Sequence, residues 1–330
     1  DSACTAFVAS GAATRDGSLL VGRNMDFWPT HVLGPATALI MVQAPGRRTF
    51  VSVGWPGVTG VVSGMNETGL VAAILINYAA GERRSALPLA FALREALETC
   101  GSVEEARALL RARRPASAHF VLLADAHAGL VLTSDGQEAG PAGGTLTCSN
   151  GRLHPLLDLQ TDERSAALAQ LLEDARGRLD PPLAQRLLGA TYLPFINAQA
   201  MVFVPARREL YLARGSTLRP AACQEWLKVD LSAALAAGSF DPVRPQPATP
   251  PEGPLPHFRD HDYPRQALLD RVTARTRAAA QRIASDPTLD PAQRGAALAR
   301  LARALEAALP DPDERAPLEA ELERSRLDAD

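Results

Sequence analysis

The stretch CTAFVASGAATRDGSLLVGRNMDF, residues 4–27, decides how this chain is read. Residues 5–13 and 18–25 are rich in small, β-branched or apolar types, and Arg15-Asp16-Gly17 separates them. Asp-Gly between two such runs is a strong hairpin signal, because both central positions of a tight hairpin turn need a positive φ. With Asp16-Gly17 as a two-residue turn, paired positions sum to 33, which sets Cys4 opposite Pro29 and about three positions from Asp26. One end of the hairpin then gathers a thiol, a carboxylate and the guanidinium of Arg23. In an ideal strand Arg23 and Asp26 face opposite sides, so a bulge or strand end near Asn24 is expected to turn both toward Cys4.

Outward from this hairpin, strands are expected over 49–53 and 58–62, and over 70–76 after a turn at Met65-Asn66-Glu67-Thr68-Gly69. Helices are expected over 86–100 and 102–113, the second opened by the capping-box sequence Ser102-Val103-Glu104-Glu105. Strands follow at 120–124, 130–133 and 145–149, helices at 163–175 and 181–188, and strands at 201–204 and 210–213. Hairpins interrupted by paired helices imply an α+β layered sandwich rather than a doubly wound parallel sheet. From Asp241 to Pro256 there are seven prolines, which reads as a linker, with residues 1–240 before it, 241–262 as the linker and a helical extension over 263–330. In that extension helices are expected over 264–285 and 291–309, with a third short one starting at Pro317.

The chain has 330 residues, 46% hydrophobic and 22% charged, enough for a large ordered core. Its 34 basic and 37 acidic residues give a net charge of −3, which announces neither nucleic acid nor an anionic membrane surface, and no apolar run is long enough to span a bilayer. Cys4, Cys100, Cys148 and Cys223 lie far apart, without zinc-ligand spacing or the density of a disulfide framework. The chain opens on Asp1, not Met, from which loss of an upstream segment and a secreted or periplasmic location are expected.

Cys4-Thr5-Ala6-Phe7-Val8 followed by Gly22-Arg23-Asn24-Met25-Asp26-Phe27 resembles the N-terminal-nucleophile (Ntn) cysteine amidases, the superfamily of acid ceramidase, choloylglycine hydrolase and penicillin V acylase, and the isopenicillin acyltransferases. Gly64-Met65-Asn66-Glu67-Thr68-Gly69-Leu70 is similar to that superfamily's Gly-x-Asn-Glu-x-Gly-Leu turn, and Thr147-Cys148-Ser149-Asn150 occupies the place of its Thr-Asn motif. Arg164 falls where the ceramidase-like members carry a second active-site arginine. The resemblance implies a four-layer αββα sandwich over about residues 4–215 and a precursor that cuts itself before Cys4. It implies Cys4 as nucleophile and, through its freed α-amine, as base; Asp26 orients the amine, Arg23 steadies the thiolate, Asn150 with Asn77 or its backbone donates to the oxyanion, and Arg164 completes the positive surround. Reference values for an α-amine, about 7.7–8, and a thiol, about 8.5, are close enough for proton exchange between them near neutrality. The implied substrate is a small N-acylated amide, cleaved through a thioester with no metal or organic cofactor.

Two departures tilt this reading toward hydrolysis over acyl transfer. Ala200 stands where relatives often carry Ser, and the acyltransferase branch tends to lack an arginine corresponding to Arg23. Each residue also has a plainer reading. Arg23 and Asp26 make an ordinary surface ion pair at a hairpin end, Asn66, Asn77 and Asn150 are good turn formers, and Arg164 beside Glu163 suits a solvated helix face. His31, His119, His127, His154, His257 and His261 show no triad spacing, and His257 with His261 is a weak metal pair. A rival of another class is a binding protein that presents its helical tail to a partner, and that tail is also the candidate surface for a homo-oligomer.

Overall fold

The computed structural model describes residues 2–27, 30–76, 86–116, 119–133, 136–150, 162–193, 196–216, 220–240, 246–247, 263–308 and 312–327. Two antiparallel sheets form the first compact unit, residues 1–261. The first sheet contains β1 (Ser2–Gly11), β2 (Gly17–Phe27), β10 (Thr145–Ser149), β11 (Asn197–Val204), β12 (Glu209–Arg214), β13 (Leu227–Asp230) and β14 (Gln246–Pro247), in the order β10-β1-β2-β11-β12-β13-β14. The second runs in chain order through β3 (Ala38–Val42), β4 (Phe50–Gly54), β5 (Ser63–Asn66), β6 (Val71–Ile76), β7 (His119–Ala124), β8 (Gly129–Thr133) and β9 (Glu138–Ala139). The helices of this unit are α1 (Thr30–Leu33), α2 (Leu89–Thr99), α3 (Val103–Arg113), α4 (Asp162–Asp174), α5 (Pro181–Gly189) and α6 (Leu231–Ala237).

Side-chain alternation along β1, β2 and β11 builds the layers. Cys4, Ala6, Val8, Val21, Met25, Met201 and Phe203 share one apolar core with Val51, Met65, Val71 and Leu75 of the second sheet. Their sequence neighbours Phe7, Ala9, Leu20, Ala200 and Val202 pack instead with Leu168 and Leu172 of α4 and Leu187 and Leu188 of α5. On the far side Leu70, Ala72, Ile74 and Leu123 meet Leu93 and Leu97 of α2 and Leu110 of α3. The result is the four-layer αββα sandwich expected from the sequence. Strands buried on both faces lose the alternating pattern and become almost continuously apolar, which makes a polar residue within β2 conspicuous.

The hairpin register differs from the two-residue-turn expectation. Cys4 pairs with Met25, Ala6 with Arg23 and Gly11 with Gly17, with a register shift between Ala9 and Gly11. Residues 12–16 form a longer loop, held by Ala13 N donating to Ser10 O at 3.2 Å and Arg15 N to Leu179 O at 2.9 Å. Docking of this loop on the segment before α5 outweighs the local preference of Asp-Gly for the tightest turn.

The expected strand at 58–62 is instead a connection that crosses the start of α2, where Val61 N donates to Ala90 O at 2.8 Å. The strand in this place, β5, begins at Ser63 and leads into the Asn66 turn. Asn66 is fully buried there: its Oδ1 accepts from Thr68 N at 3.1 Å, Thr68 Oγ1 at 2.7 Å and Leu70 N at 3.0 Å. Its Nδ2 donates to Leu97 O and Cys100 O at 3.0 and 2.8 Å, tying the turn to the end of α2. Gly69 has φ +91° and a Cβ there would lie 2.6 Å from Pro205 O, so the motif is an architectural knot. In the Pro-rich stretch, Gln246 and Pro247 pair with β13 at the sheet edge, the one place in a sheet that tolerates Pro.

Residues 262–330 form a second compact unit with α7 (Tyr263–Ser285), α8 (Pro291–Ala308) and α9 (Pro312–Leu327). Ala280, Leu298, Leu305, Leu318 and Leu322 are its own core. The third helix begins at Pro312 rather than at the expected Pro317, which it carries inside it. Among the described residues no helix is long and apolar enough to cross a membrane.

Replacing Asn66 by Ala leaves several buried backbone groups without partners, and a loss of about 3 kcal/mol in urea unfolding is expected, against about 1 kcal/mol for Thr68→Ala.

Candidate active site

The observed register places Cys4 and Arg23 on the same face without any bulge. Cys4 faces its partner Met25, and Arg23 lies two positions further along β2, so both side chains enter the space between the sheets. Cys4 is 3% exposed and Arg23 is fully buried. Arg23 spans the gap: Nη1 donates to Val62 O at 2.8 Å and to Ser63 Oγ, and Nη2 donates to Ile74 O. The same Nη2 reaches Cys4 Sγ at 3.5 Å. No carboxylate pairs with Arg23 among the described residues. A buried guanidinium held only by carbonyls, a hydroxyl and a thiol is short of one negative charge.

Asp26 occupies the opposite face of β2. It is fully buried; Oδ2 accepts from Arg164 Nη1 at 2.8 Å, and Oδ1 accepts from Asn197 Nδ2 at 2.8 Å and Leu193 N at 3.2 Å. Burial pushes the Asp26 carboxyl above the ordinary Asp range, while the Arg164 guanidinium and the donors of Asn197 and Leu193 pull against it. Asn197 is itself fixed, its Oδ1 accepting from Ala222 N at 2.8 Å. Arg164, near the start of α4, also donates from Nη1 to Thr5 Oγ1 and from Nη2 to Cys4 O, both at 3.4 Å. Thus Asp26 does not turn toward Cys4; it anchors the arginine that grips the Cys4 main chain from behind.

Asn150, fully buried at the end of β10, completes the cluster. Its Oδ1 accepts from Cys4 N and its Nδ2 donates to Ile76 O at 2.5 Å, which leaves the second Nδ2 hydrogen for another acceptor. Asn77, His257 and His261 lie outside the described residues. Cys148, paired with Ala6 on the neighbouring strand, has its thiol pushed up to about 12, chiefly by burial and then by Cys4, so it is an inert neighbour. All four cysteines are free. Among the described residues no group of three or more His, Cys, Asp or Glu is placed to hold a metal ion.

The structure therefore brings Cys4, Arg23, Asp26, Asn150 and Arg164 together through β1, β2, β10 and α4. It adds Asn197, Ser63 and Thr5, which the sequence reading passed over. The one signal for Asn197 was an amide at the head of a strand that is otherwise apolar apart from Gln199. Ala200 pairs with Asn24 and faces the helices, away from the sulfur.

Comparison with solved structures gives the same architecture. An N-acylethanolamine-hydrolyzing acid amidase ortholog of Caenorhabditis elegans superposes with TM-score 0.51 at 19% identity, over 61% of this chain and 93% of its own. A conjugated bile acid hydrolase of Clostridium perfringens, in a mutant form, gives 0.53 at 14% identity over 74% and 96%. Penicillin V acylase of Agrobacterium tumefaciens gives 0.50 at 17% identity over 76% and 99%. The chain shares the fold of these three proteins. Residues 13–172, just under half of the chain, match the family model of acyl-coenzyme A:6-aminopenicillanic acid acyl-transferase. A 69-residue stretch, 21% of this chain, is 42% identical to an uncharacterized protein of Archaeoglobus fulgidus, of whose length it covers only 11%.

Arg164→Met strands the Asp26 charge, and a loss of about 3–5 kcal/mol is expected in chemical denaturation. A raised Asp26 value in the fold means that the folded chain holds this proton more tightly than the unfolded one, so the group favours folding at acid pH and that contribution fades as pH rises through the raised value. Asp26→Asn is therefore expected to gain stability relative to the parent on going from pH 4 to pH 7, read by urea unfolding at each pH.

Proposed function

We propose that the protein is a self-processing cysteine amidohydrolase that cleaves the amide bond of an N-acylated small molecule through a thioester on Cys4. The observation that carries this reading is the fully buried Arg23, without a carboxylate partner among the described residues, 3.5 Å from Cys4 Sγ. The acid amidase, bile acid hydrolase and penicillin acylase that share the fold support it.

In the chain as it stands Cys4 N is an amide that donates to Asn150 Oδ1, and an amide nitrogen cannot serve as a base. Self-processing supplies one. Cys4 Sγ attacks the Ala3 carbonyl carbon, the C–N bond breaks as the amine leaves with a proton, and water then releases residues 1–3 from the ester sulfur. The freed α-amine takes the thiol proton, and the thiolate rests beside the Arg23 guanidinium. Attack on a substrate carbonyl gives a tetrahedral oxyanion, for which the spare Nδ2 hydrogen of Asn150 and the backbone of Asn77 are the proposed donors; one such donor contributes about 3–4 kcal/mol in acyl-transfer sites. Collapse expels the amine, which takes the proton back from the α-ammonium, and water frees the acid. Arg164, fixed by Asp26 and Asn197, holds Cys4 O and keeps the residue from turning in its strand.

The acyl-transferase family match over residues 13–172 favours a second reading, in which an amine replaces water at the thioester. Added amines separate the two, since a transferase yields a new amide where a hydrolase yields free acid.

Intact mass of the purified protein is expected to show a chain starting at Cys4, and Cys4→Ala is expected to retain residues 1–3 and lose turnover of N-acyl amides by at least about a thousandfold. A homogeneous product that keeps Asp1-Ser2-Ala3 and is fully active contradicts the reading.

A further inference from the structure

Gln199 sits in the space between the sheets and has no part in the chemistry described above. In the register of the first sheet it pairs with Met25, which pairs with Cys4, so the three form one row across β1, β2 and β11. Met201, two residues further along β11, faces the inter-sheet core, and Gln199 shares that face. Two strand spacings separate Gln199 from Cys4, about 10 Å.

Gln199 is fully buried, and its amide is only half used. Nε2 donates to Thr37 Oγ1 at 3.1 Å, while Oε1 has no hydrogen-bond partner among the described residues. The orientation of this amide is dictated by its neighbour. Thr37 Oγ1 spends its single hydrogen on Leu33 O at 3.2 Å, so toward Gln199 it can only accept, and the amide must present Nε2 to it. Oε1 is thereby fixed as an open acceptor. Leu33 O also accepts from Trp55 Nε1 at 2.7 Å, which locks the α1 segment and the Trp55 ring into the same assembly. Trp55 stacks at a tilt on Phe27, and Phe27, Leu33 and Leu39 pack incompletely against this core. Met25, the residue between the sulfur and the amide, is unbranched and adapts its shape readily.

We propose that Gln199 Oε1 is a specificity determinant that accepts a hydrogen bond from a hydroxyl or N–H group carried partway along the acyl moiety of the substrate. The natural substrate on this account is an amide of a hydroxylated or amide-bearing acyl group, apolar elsewhere. An unpaired buried acceptor costs free energy in the empty protein, and a donor on the ligand removes that cost. An all-apolar acyl chain leaves it in place. This rests on the amidase reading, with the acyl group running from Cys4 over Met25.

The test uses the processed protein and a set of straight-chain N-acyl amides of one amine, each with a single hydroxyl at successive carbons, alongside their deoxy parents. The parent protein is expected to show a maximum in kcat/KM at one hydroxyl position, on the order of five- to tenfold above the deoxy compound. Gln199→Met, which keeps the unbranched shape, is expected to abolish that maximum while turning over the deoxy compounds at least as fast as the parent does. Thr37→Val, which frees the amide to rotate, is expected to flatten it. Equal profiles in the parent and Gln199→Met, with both cleaving the deoxy amides, overturn the role of Gln199 and leave the amidase reading standing. Absence of turnover of every compound by the parent overturns both.

Discussion

A positive charge sealed between two sheets organises this molecule. Arg23 is taken wholly out of water, and its Nη atoms donate to Val62 O, Ser63 Oγ and Ile74 O of the second sheet and reach Cys4 Sγ of its own. An ion without a counter-ion is among the most expensive things a core can hold. Such a site stores an affinity for negative charge, and whatever carries that charge, thiolate or oxyanion, is stabilised where it forms. The backbone carbonyls that aim the guanidinium belong to β6 and the approach to β5, so closure of the sandwich and assembly of the site are one event.

The opposite face of the same strand carries the complementary arrangement. There Asp26 has a full set of partners, Arg164, Asn197 and Leu193 N, and forms the kind of buried ion pair that Arg23 lacks among the described residues. The period-2 geometry of a strand separates two jobs that adjacent polar residues would otherwise confuse. Arg23 faces the Cys4 sulfur, and Asp26 faces the helical layer and fixes the arginine behind Cys4. Asn150 joins the two sheets at the end of the row, holding Cys4 N on one side and Ile76 O on the other.

Much of this was legible in the sequence, for identifiable reasons. Arg23 and Asp26 stood out by their place with Cys4 at one end of the first hairpin and by the resemblance that Arg23-Asn24-Met25-Asp26 carries; hairpins interrupted by helix pairs pointed to an α+β layered sandwich, and the four-layer order came only with the resemblance. What failed was metric. The Asp16-Gly17 signal gave a hairpin but the wrong register, because loop 12–16 is set by hydrogen bonds with Gly177 and Leu179, far away in sequence. With that register wrong, a bulge was needed to explain what plain alternation explains. Asn197 escaped notice because its role exists only once β11 lies beside β2, and the knot at Asn66 was read as a turn whose anchoring to α2 no local pattern reveals.

The central claim, that the buried Arg23 charge is what makes Cys4 an acyl acceptor, is tested most directly by quenching the enzyme during turnover of an N-acyl amide and weighing the intact protein. The account predicts an acyl adduct on Cys4 in the parent and none in a folded Arg23→Met variant. Equal adduct in both proteins would contradict it.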